Sequence, residues 1–157
     1  MKKYSWGSHP KIDCTEHKLN NALALKSFIK NNDEIIAHGN GRSYGDSSIN
    51  ENIINCLPHN SLISFDEKNG VLKAQAGILL SDLLNLIVPK GWFLKVSPGT
   101  KFVTLGGAIA SDIHGKNHHI DGCFSECIIN FNLMLPNGEI VNCIKSDELF
   151  LATCGGM

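Results

Sequence analysis

Three stretches rich in glycine, hydroxyl and histidine side chains carry the residue types that bind ligands or do chemistry. They are 39–45 (GNGRSYG), 97–111 (SPGTKFVTLGGAIAS) and 112–119 (DIHGKNHH). Glycine lets a backbone approach a ligand closely, and successive unpaired N–H groups form a concavity that holds anionic oxygens. Together the stretches predict a site for an extended ligand with a pyrophosphate and a ring system. Tight internal packing at small residues is the alternative.

The first stretch differs from the nucleotide-binding loops that it resembles in composition. Its glycines are spaced G-x-G-x-x-x-G, one residue longer than the G-x-G-x-x-G of dinucleotide-binding folds. Residues 43–49 lack the apolar periodicity of a helix, so no helix N-terminus is predicted to face a pyrophosphate. No Gly-Lys-Ser/Thr of a P-loop follows either. The pattern indicates a strand and an anion-binding turn rather than a Rossmann fold, and an ordinary glycine-rich turn fits it equally well.

The third stretch contains two histidines, His114 and His118, at the four-residue spacing that metal ligands take on a helix. Gly115 interrupts that pattern, and the glutamate of an H-E-x-x-H site is missing. A metal site is therefore disfavoured. His114 and Lys116 are alternatively placed to offer hydrogen-bond donors to an electron-rich ring.

Hydrophobic periodicity predicts a β-α-β unit in the first third of the chain. Residues 18–30 have apolar side chains at helical spacing, with Thr15 or Asp13 as the cap and Asn31-Asn32 as the end. Short strands are predicted after this helix, at 34–38 and 53–57.

Two Asn-Gly turns predict antiparallel hairpins in the remainder. The first joins strands at 62–65 and 71–76, and the second joins strands at 127–135 and 139–144. A β-α-β unit followed by hairpins gives an α+β fold class.

Short helices are predicted at 81–88 and at 147–152, the latter capped by Ser146. Residues 98–122 hold five glycines and three of the seven histidines, so a functional loop rather than core is predicted there.

Composition indicates a globular protein whose net charge is too small to create a strong electrostatic field around it. The 157 residues are 43% apolar with a net charge of −1, which excludes disorder and predicts no nucleic-acid partner. Apolar runs fall far short of the roughly 20 residues of a membrane span, and the N-terminus lacks the apolar core of a signal peptide. A cytoplasmic protein is predicted, and its six cysteines are interpreted as small core fillers.

The three stretches together resemble the FAD-binding domain of the vanillyl-alcohol-oxidase/PCMH superfamily of oxidoreductases. Within it, the decaprenylphosphoryl-ribose 2′-oxidase and sugar-lactone oxidase type is most similar. The resemblance rests on G-x-G-R-S-Y-G-D within 38–47, P-G-T and T-L-G-G within 98–107, and S-D-I-H-G-K-N-H-H at 111–119. The tail L-F-L-A-T-C-G-G at 149–156 is similar to the family's L-F-x-A-T-x-G-G.

The resemblance implies a PCMH-type FAD-binding domain with two subdomains. The first is a small β-α-β subdomain at 1–60, and the second, at 61–157, is a mainly antiparallel sheet subdomain with helices. The second subdomain is expected to be truncated at its C-terminus, with the substrate domain absent. Surface exposed by such truncation predicts a homo-oligomer.

The resemblance also implies how FAD is held. Arg42 stands where covalent members carry the histidine that bonds to the flavin, so the FAD is expected to be non-covalent. Lys116 is implied as the catalytic residue, because a cation beside the flavin stabilises the negative charge that builds up during reduction. The implied cofactor-binding residues are His38, Gly39, Asn40, Gly41, Arg42, Ser43, Tyr44, Ser47, Gly99, Thr104, Leu105, Gly106, Gly107, Ser111, His114 and Gly115.

The implied reaction is oxidation of a CH–OH group of a sugar, sugar-lactone or polyol substrate, with hydride transfer to flavin N5. The isolated chain is expected to hold only half of the active site. Two other classes of function stay open: a non-catalytic remnant that acts as an interaction or oligomerisation module, and a small His/Cys metal-binding protein. Flavin content and metal analysis separate the three.

Overall fold

The computed structural model describes residues 1–156. Its strands and helices alternate in small groups along the chain. The strands are β1 (Lys2–Tyr4), β2 (Lys11–Asp13), β3 (Thr15–His17), β4 (Ile36–His38), β5 (Asn52–Asn55), β6 (Leu62–Asp66), β7 (Val71–Ala74), β8 (Asn130–Met134) and β9 (Ile140–Ile144). The α-helices are α1 (Ala22–Lys30), α2 (Leu80–Ile87), α3 (Leu105–Ala110), α4 (His118–Asp121) and α5 (Glu148–Thr153). Two 3-10 helices cover Val88–Lys90 and Phe124–Cys127.

A three-stranded parallel sheet forms the first part of the fold. Its order is β3-β5-β4, so β5 lies in the centre and pairs with a parallel strand on each side. Ile53 and Ile54 of β5 are buried, as expected of β-branched residues in a covered parallel strand. Because parallel neighbours need a crossover connection, α1 links β3 to β4. The predicted β-α-β unit and the α+β class are confirmed.

Helix α1 begins later than its apolar periodicity predicts. Its cap is Asn21, whose side-chain oxygen accepts the N–H of Ala24 at 2.8 Å. The predicted caps Thr15 and Asp13 were wrong, because strand pairing takes both residues: Thr15 pairs with Asn52, and Asp13 pairs with Lys2. The predicted end at Asn31 is confirmed, since the Asn31 N–H bonds to the Phe28 carbonyl at 3.2 Å.

Both predicted hairpins are confirmed. The β6–β7 and β8–β9 pairs are antiparallel, and their turns place Gly70 and Gly138 at φ +67° and +76°. A third hairpin, β1–β2, was not predicted, because its three-residue strands are too short to show alternation. Among residues 1–156, strands pair only within 2–55 and within 62–144. The predicted subdomain boundary near residue 60 stays a prediction, and residue 157, the end of its second range, lies outside the described part.

The main apolar cluster lies in the second part of the fold. It contains Ile78, Leu80, Leu83, Val96, Ala108 and Phe124. Ala108 belongs to α3, so the prediction of 98–122 as a loop outside the core was partly wrong. The physical reason is that Thr104 caps a short helix there: its Oγ1 accepts the Gly107 N–H at 3.1 Å.

The last helix is also capped differently from the prediction. The residue before α5 is Asp147 rather than Ser146, which is exposed. The Asp147 carboxylate accepts the N–H of Ile144 at 2.9 Å. It therefore ties the end of β9 to the start of α5.

The six cysteines are all free thiols. Cys14 and Cys143 are buried, as the core-filling interpretation requires, whereas Cys127 is exposed. Burial raises the pKa of the Cys56 thiol. None of the helices within residues 1–156 is long and apolar enough to cross a membrane.

Glu16 joins the N-terminal hairpin to the parallel sheet. Its carboxylate accepts from Lys3 Nζ at 2.8 Å and from Asn55 Nδ2 at 2.7 Å. These two hydrogen bonds, the one from Lys3 first, lower the pKa of Glu16. A carboxyl whose pKa is lower in the folded than in the unfolded state stabilises the fold above its ordinary pKa. That contribution is lost as the pH falls through and below about 4.3.

Replacing Glu16 should therefore reduce the loss of folding stability that occurs as the pH falls through the acidic range. We expect Glu16→Gln to unfold at a lower urea concentration than wild type at pH 7, with the difference shrinking below about pH 4. Glu34→Gln, at an exposed glutamate, is the matched control. Parallel pH profiles for wild type and Glu16→Gln would contradict this role.

Candidate functional site

A cleft of about 360 Å³ separates the first glycine-rich stretch from the N-terminal hairpin. One wall comes from the residues that follow β4, and the other from the end of β1 and the turn after it. Its lining residues are Lys3, Tyr4, Ser5, Trp6, His38, Gly39, Asn40, Gly41, Arg42 and Leu57. Five predicted cofactor-binding residues, 38–42, therefore line one cleft.

Side chains at its base hold the 39–45 loop in shape. His38 is buried at the end of β4, and its Nδ1 donates to the Ser48 carbonyl at 2.7 Å. The Ser43 and Ser48 hydroxyls lie 2.9 Å apart, and the Trp6 N–H donates to the Ser43 carbonyl at 3.1 Å. Gly41 has a φ of +62°, a conformation that side-chain-bearing residues rarely adopt. The loop is thus preorganised by contacts that do not use its own N–H groups.

Those N–H groups are available to a ligand. Within the described part of the chain, the backbone N–H groups of residues 40–45 donate to no protein acceptor. Arg42 makes no ion pair with any acid of residues 1–156, and its guanidinium lies 5.2 Å from the centre of the Trp6 ring. Unpartnered N–H groups beside a free guanidinium fit the phosphate oxygens of a nucleotide.

The second stretch meets the first at its start. The Asn40 side-chain amide donates to the Phe102 carbonyl at 2.8 Å. A Cβ added to Gly39 would lie 2.6 Å from Thr104 Oγ1, which is closer than real Cβ contacts come. The end of β4 and the cap of α3 are therefore in direct contact.

Within α3, the predicted residues divide into two groups. Gly106 packs against Ala76: its N–H donates to the Ala76 carbonyl at 2.7 Å, and an added Cβ would lie 3.0 Å from the Ala76 Cβ. The Leu105 N–H likewise donates to the Ile78 carbonyl at 2.8 Å. Internal packing thus explains the small residue at 106. Gly107 is exposed, and so is Gly99 in the loop that precedes the helix.

The third stretch meets the second at Ser97. A Cβ added to the buried Gly115 would lie 3.0 Å from the Ser97 carbonyl oxygen. The Asn117 side chain donates to the Lys95 carbonyl at 3.0 Å and to the Asp121 carboxylate at 2.6 Å. These contacts fix the backbone on both sides of Lys116, whose side chain is exposed.

The other predicted residues lie at the surface or in adjoining turns. Tyr44 is 76% exposed, and the Ser47 hydroxyl donates to its carbonyl at 2.9 Å. Ser111 follows α3, and its N–H donates to the Gly107 carbonyl at 3.1 Å. The exposed His114 ring lies 5.6 Å from that of His118. No cluster of three or more potential metal-binding side chains occurs among residues 1–156. The first and third stretches each contact the second, with no hydrogen bond to each other in the described chain.

Comparison with known proteins decides the family. A model of the family described as "FAD binding domain" matches residues 16–144, which is most of the chain. The chain belongs to this family of FAD-binding domains. Its glycine-rich loop, its α3 cap and its D-I-H-G-K-N-H-H stretch all lie inside the match, which confirms the predicted PCMH-type class and FAD as the cofactor.

Relatives of this FAD-binding domain include several oxidoreductases. Decaprenylphosphoryl-beta-D-ribose oxidase of Mycolicibacterium smegmatis is 39% identical over 127 residues, covering 78% of this chain and 28% of that protein. D-lactate dehydrogenase of Anaerostipes hadrus is 34% identical over 89 residues, covering 57% of this chain and 19% of that protein. Putative D-arabinono-1,4-lactone oxidase of Neurospora crassa is 29% identical over 96 residues, covering 61% of this chain and 17% of that protein. The chain thus spans less than a third of the length of these relatives.

Several residues at the site were not among the sequence predictions, and Ser5 and Asp112 are the two with the most informative surroundings. Ser5 lines the cleft, and no pattern in the sequence indicates it. Asp112 has a φ of +38°, and its carboxylate accepts from the Ser125 N–H at 2.8 Å and the Ser125 hydroxyl at 3.0 Å. It anchors the third stretch to the 3-10 helix at Phe124–Cys127, and its place in the D-I-H-G string was the available indication.

The Gly39–Thr104 contact should limit what position 39 tolerates. We expect Gly39→Ala to lower the free energy of unfolding by about 1–3 kcal/mol, because its methyl group would overlap the Thr104 side chain. The measurement is urea denaturation followed by far-UV circular dichroism.

Gly99→Ala is the matched control. An added Cβ at Gly99 meets nothing within 4 Å, and neither glycine has a positive φ. Equal stability of the two alanine variants would show that Gly39 and Thr104 are not in contact.

Proposed function

We propose that this chain is the FAD-binding part of an oxidoreductase that oxidises a CH–OH group of a sugar, sugar-lactone or polyol substrate. The observation that carries the proposal is the set of unpartnered N–H groups at 40–45 beside the unpaired Arg42 guanidinium. The names of the ribose oxidase and lactone oxidase relatives support the substrate class. Bound FAD would supply the hydride acceptor of the reaction.

The residues of the first loop would hold the phosphate end of the cofactor. Backbone N–H groups of 40–44 would donate to the pyrophosphate oxygens, and Arg42 would add a charge-assisted hydrogen bond. A guanidinium is no nucleophile under these conditions, so Arg42 would bind FAD without a covalent link. His38 acts on this site indirectly, because its hydrogen bond to Ser48 holds the base of the loop.

The second and third stretches would hold the rest of the cofactor. The exposed Gly107 and Gly99 leave backbone open to a ligand, and Ser111, His114 and Lys116 are exposed as well. The buried Gly115 would hold the backbone between His114 and Lys116. Lys116 would stabilise negative charge that develops near it during substrate oxidation. The backbone from which its side chain extends is fixed by Gly115 against Ser97 and by Asn117 against Lys95.

Binding of FAD tests the proposal directly. We expect the purified chain to quench flavin fluorescence on titration, and Arg42→Ala to weaken FAD binding by about tenfold or more, since a charge-assisted hydrogen bond is lost. Lys68→Ala is the matched control, because Lys68 is an exposed cation in the turn between β6 and β7, outside the cleft and outside the three stretches.

The same titration separates the competing functions. A chain that folds but takes up no FAD would contradict the proposal and favour a non-catalytic interaction or oligomerisation module. Flavin that stays with the acid-denatured pellet would contradict non-covalent binding. The homo-oligomer and the cytoplasmic location stay predictions.

A further inference from the structure

The buried hydroxyl of Ser5 has no hydrogen-bond partner among residues 1–156. Ser5 is 2% exposed, and its Oγ makes no hydrogen bond with any atom of residues 1–156. A buried hydroxyl without a partner lowers stability, so such groups in folded proteins call for an explanation. Ser5 lines the same cleft as the 38–42 loop, so the residue forms part of the wall of the candidate site.

The charges around this cleft leave one cation free. Lys3 also lines it, but its ammonium is paired with Glu16 at 2.8 Å. Arg42 has no acidic partner within residues 1–156 and lies over the Trp6 ring at 5.2 Å. The stacking holds the guanidinium beside the Ser5-Trp6 segment while its N–H donors remain unused. The free donors at the cleft are therefore a hydroxyl, a guanidinium and backbone N–H groups. No carboxylate side chain of the described residues lines it.

We propose that Ser5, Arg42 and the 40–42 backbone form a subsite for a phosphoryl oxygen, in which the Ser5 hydroxyl donates to the ligand across the cleft. The proposal rests on the proposed function where the phosphoryl group belongs to FAD. It adds a residue outside the family match, which begins at residue 16. The N-terminal hairpin is then part of the binding site rather than a cover for the sheet.

The subsite makes opposite demands on stability and binding. Without ligand, the buried hydroxyl is a liability that alanine would remove. With ligand, the hydroxyl gains a charged acceptor, and hydrogen bonds to charged groups are the stronger ones. Ser5→Ala should therefore raise or preserve the thermal midpoint of the ligand-free protein and weaken binding of the phosphorylated ligand. A hydroxyl with a merely structural role would lower the midpoint on removal.

The test compares wild type with Ser5→Ala on three probes: FAD, riboflavin, which has no phosphate, and inorganic pyrophosphate. We expect Ser5→Ala to weaken FAD binding about tenfold and to leave riboflavin binding unchanged. Ser64→Ala, at an exposed serine of β6, should change neither binding nor the thermal midpoint. Calorimetric titration measures the affinities, and differential scanning calorimetry measures the midpoints.

The remaining outcomes show which ligand carries the phosphate, and they test the subsite separately from the proposed function. Loss of pyrophosphate affinity in Ser5→Ala with FAD affinity intact would assign the subsite to a phosphorylated ligand other than the cofactor. Wild type that binds pyrophosphate through Ser5 but binds no FAD would overturn the proposed function and keep the subsite. Three results for Ser5→Ala would overturn the subsite: unchanged affinities, an equal loss of affinity for FAD and riboflavin, or a lowered thermal midpoint. A wild-type protein that binds neither FAD nor pyrophosphate would overturn it as well.

Discussion

The approach of Gly39 to Thr104 is the constraint on which the candidate site depends. An added Cβ at Gly39 would overlap the Thr104 hydroxyl at 2.6 Å, so only glycine lets the end of β4 lie against the cap of α3. The Asn40 amide fixes the same junction through the Phe102 carbonyl. Because β4 belongs to the parallel sheet and α3 to the main apolar cluster, this contact sets how the glycine loop faces the second stretch.

The contacts that shape the loop leave its backbone N–H donors free. Residues 39–45 are shaped by Ser48 beneath them and by Trp6 beside them, through bonds to the loop's side chains and carbonyls. A loop held in this way has a fixed shape with its N–H groups unused. Preorganised donors of this kind stabilise an anion without reorganising at the moment of binding. The N-terminal hairpin takes part in this arrangement, although the family match begins after it.

Much of the architecture could be predicted from local sequence because local physics decides it. The Asn-Gly turns fix both long hairpins, and the apolar periodicity of 18–30 indicates α1. The caps of α1 and α5 could not be predicted, because Thr15 is taken by pairing with Asn52, and Asp147 is used instead of Ser146. Those choices depend on strands distant in sequence. The β1–β2 hairpin could not be predicted either, because three-residue strands are too short to show periodicity.

The candidate site could likewise be predicted only in part from the sequence. Glycine-rich composition located the loop at 39–45 and the stretches that meet it, but could not separate glycines that face a ligand from those that pack internally. Gly106 lies against Ala76, whereas Gly107 one residue later is exposed. Ser5 carried no pattern at all, because its importance comes from a missing hydrogen-bond partner, which only a folded structure reveals.

Amide hydrogen exchange with and without FAD tests most directly whether three distant stretches meet at one cofactor. Exchange should slow on FAD addition in peptides that cover 39–45, 97–107 and 111–117, and should stay unchanged in the β6–β7 hairpin. Slowing confined to a single stretch, or spread evenly over the chain, would contradict a shared cofactor site.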